Sequence, residues 1–320
     1  MTRIAIIDDW GGMVRPLPCW KRLEGRATVD AFQDTLADEA ALARRLAPYD
    51  VVVAIRERTR FTAGVVTRLP ALKLLALAGR WTGQVDLAAA AARGIVVTET
   101  EGSAVNAFEH TVALMMALVR RVPQEDRAMR AGRWQTPPLG VDMAGKTLGI
   151  VGLGKIGGKM AAFGRLLGMR VLASGITLTD ERAAAAGATR VDLETLLRDS
   201  DVVSIHLRLS DRSRGLITAR RLALMKPTAF LVNTARGPIV EEAALLDALR
   251  GRRIAGAALD VFDVEPLPAG HPLLALDNVV LTPHLGFVTA EGYAVFFGQA
   301  VESIGTFLDG KTPPRVVAPR

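Results

Sequence analysis

The stretch 147–173, TLGIVGLGKIGGKMAAFGRLLGMRVLA, constrains the fold more than any other part of the chain. An apolar run at 148–151 leads directly into Gly152-Leu153-Gly154-Lys155-Ile156-Gly157. Helical spacing follows at Ile156, Met160, Phe163, Leu166 and Leu167 and stops at Gly168, a residue suited to a helix end. A second apolar run begins at Met169. The order is therefore strand, glycine turn, helix, strand, the size of one βαβ unit. Gly152 permits a tight turn, Gly154 lets a pyrophosphate approach the backbone, and Gly157 lets the helix pack on the strand. The helix start offers free N–H groups and a positive dipole end to phosphate. A glycine pattern alone is a weak signal, since ordinary turns are also glycine-rich. Its flanking strand and helix make dinucleotide binding the better reading.

Similar units fill the rest of the chain. Apolar runs at 4–7, 28–32, 51–55, 72–77 and 95–98 read as short strands, separated by helical stretches such as 38–46 and 85–92. A long helical pattern covers 104–122 and is expected to end at Pro123. A proline-bearing connection, 134–142, precedes the second series, whose later strands are 202–207, 229–234, 254–261 and 279–282. An amphipathic helix at about 290–308 closes the pattern. Continuous apolar strands alternating with helices imply parallel sheets covered on both faces. The expected fold is α/β, with two Rossmann-like or flavodoxin-like doubly wound domains and a ligand cleft between them.

Composition narrows the function classes. The 320 residues suit two domains, and 50% are apolar, enough for substantial cores. The net charge is +7, but basic residues are scattered and aromatics make up only 5%. A stacking platform for nucleic acid is therefore not indicated, and the charge is read as solubility with some steering of anions. Cys19 is the only cysteine, so an intrachain disulfide is excluded and a thiolate metal site is not expected. The N-terminus reads as a strand, not a signal peptide, and no apolar run reaches the roughly 18–20 residues of a membrane span. A cytoplasmic setting is the expectation, with no membrane and no nucleic-acid partner.

Three residues at strand ends of the second series carry chemistry. Arg236 follows FLVNTA, Glu265 follows ALDVFDV, and His284 follows VVLTP. Ligands of open parallel sheets bind beyond the carboxyl ends of the strands, so all three are expected on one edge with the glycine loop. Histidine exchanges protons near neutral pH, a carboxylate can hold its second ring nitrogen, and the arginine fork suits a carboxylate. Singly, Arg236 reads as a surface ion-pair residue, Glu265 as a turn residue and His284 as a core histidine. Together, beside a nicotinamide cofactor, they describe hydride transfer at a carbinol carbon next to a carboxylate. Of the other histidines, His271 is expected to be exposed in its proline-rich loop, His110 to pack or hydrogen-bond at a hinge, and His206 to be structural or peripheral. No set of residues has metal-ligand spacing.

NTARG, ALDVFDVEP and TPHLG, downstream of GLGKIG, resemble the signature segments of the D-isomer-specific 2-hydroxyacid dehydrogenases. GIVVTET and AFEHT extend the likeness over nearly the whole chain. The resemblance implies that Arg236 binds the substrate carboxylate and carbonyl, Glu265 pairs with His284, and His284 is the acid/base. Gly152, Gly154, Lys155, Ile156, Gly157, Ser174, Thr234 and Asp260 are the implied cofactor contacts, with Asp260 at the nicotinamide carboxamide. It further implies a discontinuous substrate-binding domain, 1–103 plus 286–320, a dinucleotide-binding domain at 104–285, and a homodimer formed through the long helix. The implied substrate is a small anionic 2-oxo or 2-hydroxy acid.

The chain also departs from that pattern. The acid usually found on the ribose is replaced by Gly175, while Asp180 and Glu181 read as opening the next helix, 181–186. Ser174 and Thr177 can hydrogen-bond either NAD or NADP, and Arg208 is a candidate for a 2′-phosphate, so NADPH is expected to be accepted. Gly79-Arg80-Trp81 replaces the family's glycine-rich substrate turn, and Trp81 either reshapes that approach or caps the lobe. Arg56, Arg58, Gly79 and Arg80 are candidate substrate contacts beside Arg236. The competing readings are a phosphite- or formate-type dehydrogenase and an NAD-sensing corepressor-like binding protein. Glu265 counts against formate enzymes, which usually place Gln there, and the short segment after the last helix counts against a corepressor.

Overall fold

Apolar runs buried on both faces become the strands of two parallel sheets. The computed structural model describes residues 1–81 and 83–319. In chain order, β1 (Thr2–Ile7), β2 (Ala27–Ala31), α1 (Glu39–Leu46), β3 (Val51–Ile55), α2 (Ala63–Val66), β4 (Leu74–Ala78), α3 (Leu87–Ala92) and β5 (Val96–Thr98) come first. They are followed by α4 (Ala104–Val119), α5 (Val122–Arg130), β6 (Thr147–Val151), α6 (Lys155–Leu166), β7 (Arg170–Ser174), α7 (Asp180–Ala185), β8 (Thr189–Arg190) and α8 (Leu193–Asp199). The series ends with β9 (Val202–Ile205), α9 (Ala219–Leu222), β10 (Phe230–Asn233), α10 (Glu242–Arg250), β11 (Gly256–Leu259), β12 (Val279–Leu281) and α11 (Ala290–Leu308). Residues 1–103 with the segment from Thr289 form one unit, and Ala104–Val288 form the other.

The first unit holds a sheet of order β2-β1-β3-β4-β5 and the second a sheet of order β12-β11-β10-β9-β6-β7-β8. All pairings between named strands are parallel. These are doubly wound orders, as expected. In the second sheet the winding reverses between β6 and β9, so the loops after those strands bound the crevice where such folds take ligands. In the first sheet the reversal lies between β1 and β3. The second sheet has a core on each face: Val203, Ile205 and Leu231 lie in one, and Ile150, Val232 and Ala258 lie in the other with Met115 of α4 and Met160 of α6.

The helix pattern at 104–122 is not one helix. α4 stops at Val119, Arg121 takes a left-handed φ of +57°, and α5 begins at Val122 with Pro123 in its first turn. Proline lacks the N–H that a first turn does not need, and its φ already suits a helix. Pro123 therefore starts a helix here. Among the described residues no helix is long and apolar enough to cross a membrane.

Candidate active site

The glycine loop follows β6. Gly152 has φ +101°, its N–H donates to the Ser174 carbonyl at 2.8 Å, and an added Cβ would lie 2.8 Å from the His206 carbonyl oxygen. A Cβ on Gly157 would collide with the Gly152 carbonyl, so this glycine lets α6 close onto β6. Gly154 differs. It is the N-cap of α6 with no side-chain cap, and a Cβ there would meet no atom within 4 Å. Packing thus requires the outer two glycines and leaves room at the middle one. The first-turn amides that follow Gly154 have no intrahelical acceptors. This arrangement fits a dinucleotide pyrophosphate. Lys155 is exposed and Ile156 half-buried at the same turn.

Arg236, Glu265 and His284 follow the adjacent strands β10, β11 and β12 and share the carboxyl edge with this loop. Asn233, which the sequence reading did not single out, shapes the first turn. Its Oδ1 accepts the Ala235 N–H at 3.0 Å and its Nδ2 donates to the Arg236 carbonyl at 3.0 Å. A Cβ on Gly237 would collide with the Phe262 backbone, so the Arg236 turn packs directly on the loop that carries Glu265. Arg236 itself is half-buried, with Nη1 donating to the Ala235 carbonyl.

Glu265 Oε1 accepts the Phe262 N–H at 2.9 Å, and Oε2 lies 2.6 Å from His284 Nδ1. An ionised carboxylate can only accept, so Nδ1 carries a proton and Nε2 is the nitrogen left for exchange. The His284 ring also packs edge-on to Phe287, with centroids 5.7 Å apart. Its side chain is 18% exposed, which limits competing water without sealing the ring away. His284 has φ +56°, a backbone state that persists in a non-glycine residue only where its surroundings impose it.

Asp260 is 1% exposed. Its Oδ1 accepts from the Thr282 hydroxyl at 2.6 Å and the Leu285 N–H at 2.7 Å, and its Oδ2 accepts from the Gly286 N–H at 2.8 Å. His110 Nε2 lies 3.1 Å from Oδ1. Burial alone would raise this carboxyl, but the His110 and Thr282 bonds, the nearby His110 and the Leu285 amide outweigh it and hold the pKa below the usual value. Thr234 is tied to Thr111 of α4, hydroxyl to hydroxyl, at 2.7 Å. Ser174 ends β7, followed by half-buried Gly175 and exposed Thr177. Burial lowers His206 to about 4 and so keeps its ring neutral, with Nε2 at 2.8 Å from Ser204 Oγ. His271 is not exposed as the sequence suggested. It is half-buried, its Nδ1 accepts the Leu273 N–H at 3.3 Å, and its Nε2 lies 3.2 Å from Glu242. Proline at position 272 starts a short 3-10 turn there, and His271 caps it.

In the first unit the candidate substrate residues separate. Arg56 has φ +52°, and its Cγ would lie 3.2 Å from a Cβ on Gly79, itself at φ +132°. Those two meet. Arg58 turns toward β1: Nη1 donates to the Asp8 carbonyl at 2.6 Å and the guanidinium stacks 3.8 Å from the Trp10 ring centroid. Arg80 is exposed and forms a 3.6 Å surface ion pair with Glu101. The Gly79 N–H donates to the Thr100 hydroxyl at 2.7 Å, and the Trp81 N–H to Glu99 at 2.8 Å. Trp81 packs against the unit's core with Nε1 on the Val85 carbonyl, so it caps the lobe. Among the described residues no group of three or more His, Cys, Asp or Glu side chains could hold a metal ion.

Residues 112–286 match the NAD binding domain of D-isomer specific 2-hydroxyacid dehydrogenases. A glyoxylate reductase of Aeropyrum pernix is 42% identical over 267 residues, covering 81% of this chain and 80% of the relative. A D-3-phosphoglycerate dehydrogenase of Archaeoglobus fulgidus is 40% identical over 252 residues, which is 78% of this chain but 48% of the relative. The chain thus spans about half the length of that phosphoglycerate dehydrogenase. The crystal structure of a phosphoglycerate oxidoreductase from Vibrio cholerae superposes with a TM-score of 0.92 at 38% identity, covering 97% of this chain and all of that one.

Proposed function

The chain belongs to the D-isomer specific 2-hydroxyacid dehydrogenases, and on that premise we propose that it interconverts a small 2-oxo acid and its D-2-hydroxy acid with NAD(P)H. The observation that carries the reading is the 2.6 Å bond between His284 Nδ1 and Glu265 Oε2, on the same sheet edge as the glycine loop. When bound, the nicotinamide supplies or accepts the hydride at C2. His284 Nε2 gives a proton to the carbonyl oxygen during reduction and takes it back during oxidation. Glu265 fixes the ring's tautomer and stabilises its charged form. Arg236 holds the substrate carboxylate and polarises the carbonyl. In the first unit, Arg56 beside Gly79 is proposed as a contact for the anionic substrate.

NADPH is proposed as a cofactor beside NADH. Gly175 stands where an acid would repel a 2′-phosphate, and a Cβ there would meet only Leu178 at 3.5 Å, so space does not explain the glycine. Arg208 is exposed nearby in sequence to the β9 end. A homodimer is proposed through the α4–α5 region and the loop after it, where Val122, Met129, Trp134 and Leu139 are 56%, 64%, 77% and 91% exposed. The lone, half-buried Cys19 suits a reducing, cytoplasmic setting.

The test is a panel of glyoxylate, hydroxypyruvate, pyruvate, longer 2-oxo acids, 3-phosphoglycerate, phosphite and formate, run with both cofactors in the matching oxidation states. Turnover of a 2-oxo acid supports the reading. Turnover of phosphite or formate alone, or tight dinucleotide binding without any turnover, contradicts it. A strong NADH preference unaffected by Arg208→Ala removes the NADPH proposal.

A further inference from the structure

One buried carboxylate joins the two places where the chain enters and leaves the second unit. α4 starts that unit at Ala104, and the turn carrying His284 ends it at Val288. Asp260 lies between them. Its oxygens accept the Leu285 and Gly286 amides at 2.7 and 2.8 Å, the two residues directly after His284. A Cβ on Gly286 would lie 3.1 Å from Asp260 Oδ2 and 3.8 Å from Ala107 Cα, so the turn is pressed between the carboxylate and α4. From α4, His110 Nε2 reaches both Asp260 Oδ1 at 3.1 Å and Thr282 Oγ1 at 3.0 Å. Thr282 spends its hydroxyl hydrogen on Asp260 Oδ1 at 2.6 Å. The carboxylate only accepts and the hydroxyl hydrogen is committed, so His110 Nε2 must be a donor to both.

We propose that His110 is a positioning residue: with Thr282 it clamps the Asp260 carboxylate that holds the Leu285 and Gly286 amides, and thereby fixes the turn presenting His284. The left-handed backbone of His284 requires such a restraint. No side chain of the His284–Glu265 couple supplies it, because Glu265 holds only the ring. The titratable group that reaches Asp260 from a packed element is His110; His284 and Glu265 lie on the turn and the loop that follow β12 and β11. Asp260 keeps its charge because its donors outweigh burial. Removing one donor lets burial carry the carboxyl upward. It then takes a proton at higher pH and releases the two amides earlier on acidification.

This inference rests on His284 being the acid/base, and its test has one readout that does not. His110→Ala, Thr282→Val and Thr282→Ser are compared with the unmodified protein. The first two are expected to lower kcat roughly 10–100-fold, the scale of a reacting group displaced by about an ångström, with KM for the 2-oxo acid changed less than about threefold. The acid limb of the kcat–pH profile moves to higher pH, and Thr282→Ser, which keeps the hydroxyl, restores most of the loss. In the cofactor-free protein, hydrogen exchange quickens at Leu285 and Gly286 while the β6 and β10 amides stay protected. An unmoved acid limb with unchanged exchange at those two amides in His110→Ala overturns the proposal. So does a uniform rate loss with exchange raised throughout the unit, which marks general destabilisation. If the unmodified protein reduces no 2-oxo acid, the functional reading fails, and the exchange measurement alone decides the clamp.

Discussion

The candidate residues are held in place by bonds from named neighbours. Glu265 spends one oxygen on the Phe262 amide and one on His284, so the carboxylate cannot swing away from the ring. Arg236 sits on a turn that Asn233 braces from both sides, which fixes where its fork begins. The geometry of that fork, and not its charge alone, is what a carboxylate beside a carbonyl needs. Arg236→Lys keeps the charge and loses the paired donors. We expect it to cost about 2–4 kcal/mol of transition-state stabilisation, the scale of a lost charge-assisted contact in a reacting site, seen in kcat/KM as well as KM. A variant with unchanged kcat/KM would remove the bidentate role. The arginines of the first unit show what a sequence leaves out. Arg56 and Arg58 look equivalent in AIRERT, yet Arg58 is drawn to Trp10 and to the Asp8 carbonyl, partners about 50 positions earlier. No local signal distinguishes them.

At the scale of elements, the glycine loop was legible because its demands are local. Gly152 needs a positive φ, and Gly157 needs to clear the Gly152 carbonyl. The parallel sheets were legible too, since runs buried on both faces have few other uses. Pro123 was misread because the same residue can end one helix or begin another, and the left-handed Arg121 that decides between them has no glycine to announce it. His271 was misread because its partner, Glu242, comes from a distant helix. The three glycines separate packing from binding in one experiment. Gly157→Ala forces α6 off β6 and is expected to cost about 1–3 kcal/mol of stability, as overpacking does, with a fall in Tm. Gly154→Ala meets no protein atom, so Tm should hold while the Kd for the dinucleotide rises at least about tenfold, about 1.4 kcal/mol. Equal affinity in Gly154→Ala would mean that the middle glycine does not face the cofactor.

At the scale of the whole molecule, both units use the same device at the amino edge of their own sheets. Asp50, just before β3, accepts the Arg3 N–H of β1 and Lys73, each at 3.0 Å. Asp201, just before β9, accepts the Thr147 N–H of β6 at 2.8 Å and Lys226 at 2.9 Å. Burial pushes both carboxyls up, but these bonds win and hold them below the usual range. Their stabilisation is complete above the unfolded value of about 3.9 and is lost as pH falls through the lower folded value. His206 acts earlier. Its folded value of about 4 lies under the ordinary 6.5, so the unfolded chain takes up the proton first and stability declines from about pH 6.5 down to about 4. Tm measured by calorimetry should therefore fall in two stages on acidification, and His206→Asn should flatten the upper stage alone. An unchanged upper slope in that variant would contradict the assignment. The central claim, however, is chemical: one ring nitrogen of His284 moves the proton that accompanies the hydride. Its most direct measurement is the steady-state reduction of the best 2-oxo acid by NAD(P)H in the unmodified protein and in His284→Gln, with dinucleotide affinity determined for both. The account predicts that kcat falls roughly 10²–10⁴-fold, the usual worth of a positioned acid/base, with dinucleotide affinity retained. Near-equal turnover in the variant would contradict it.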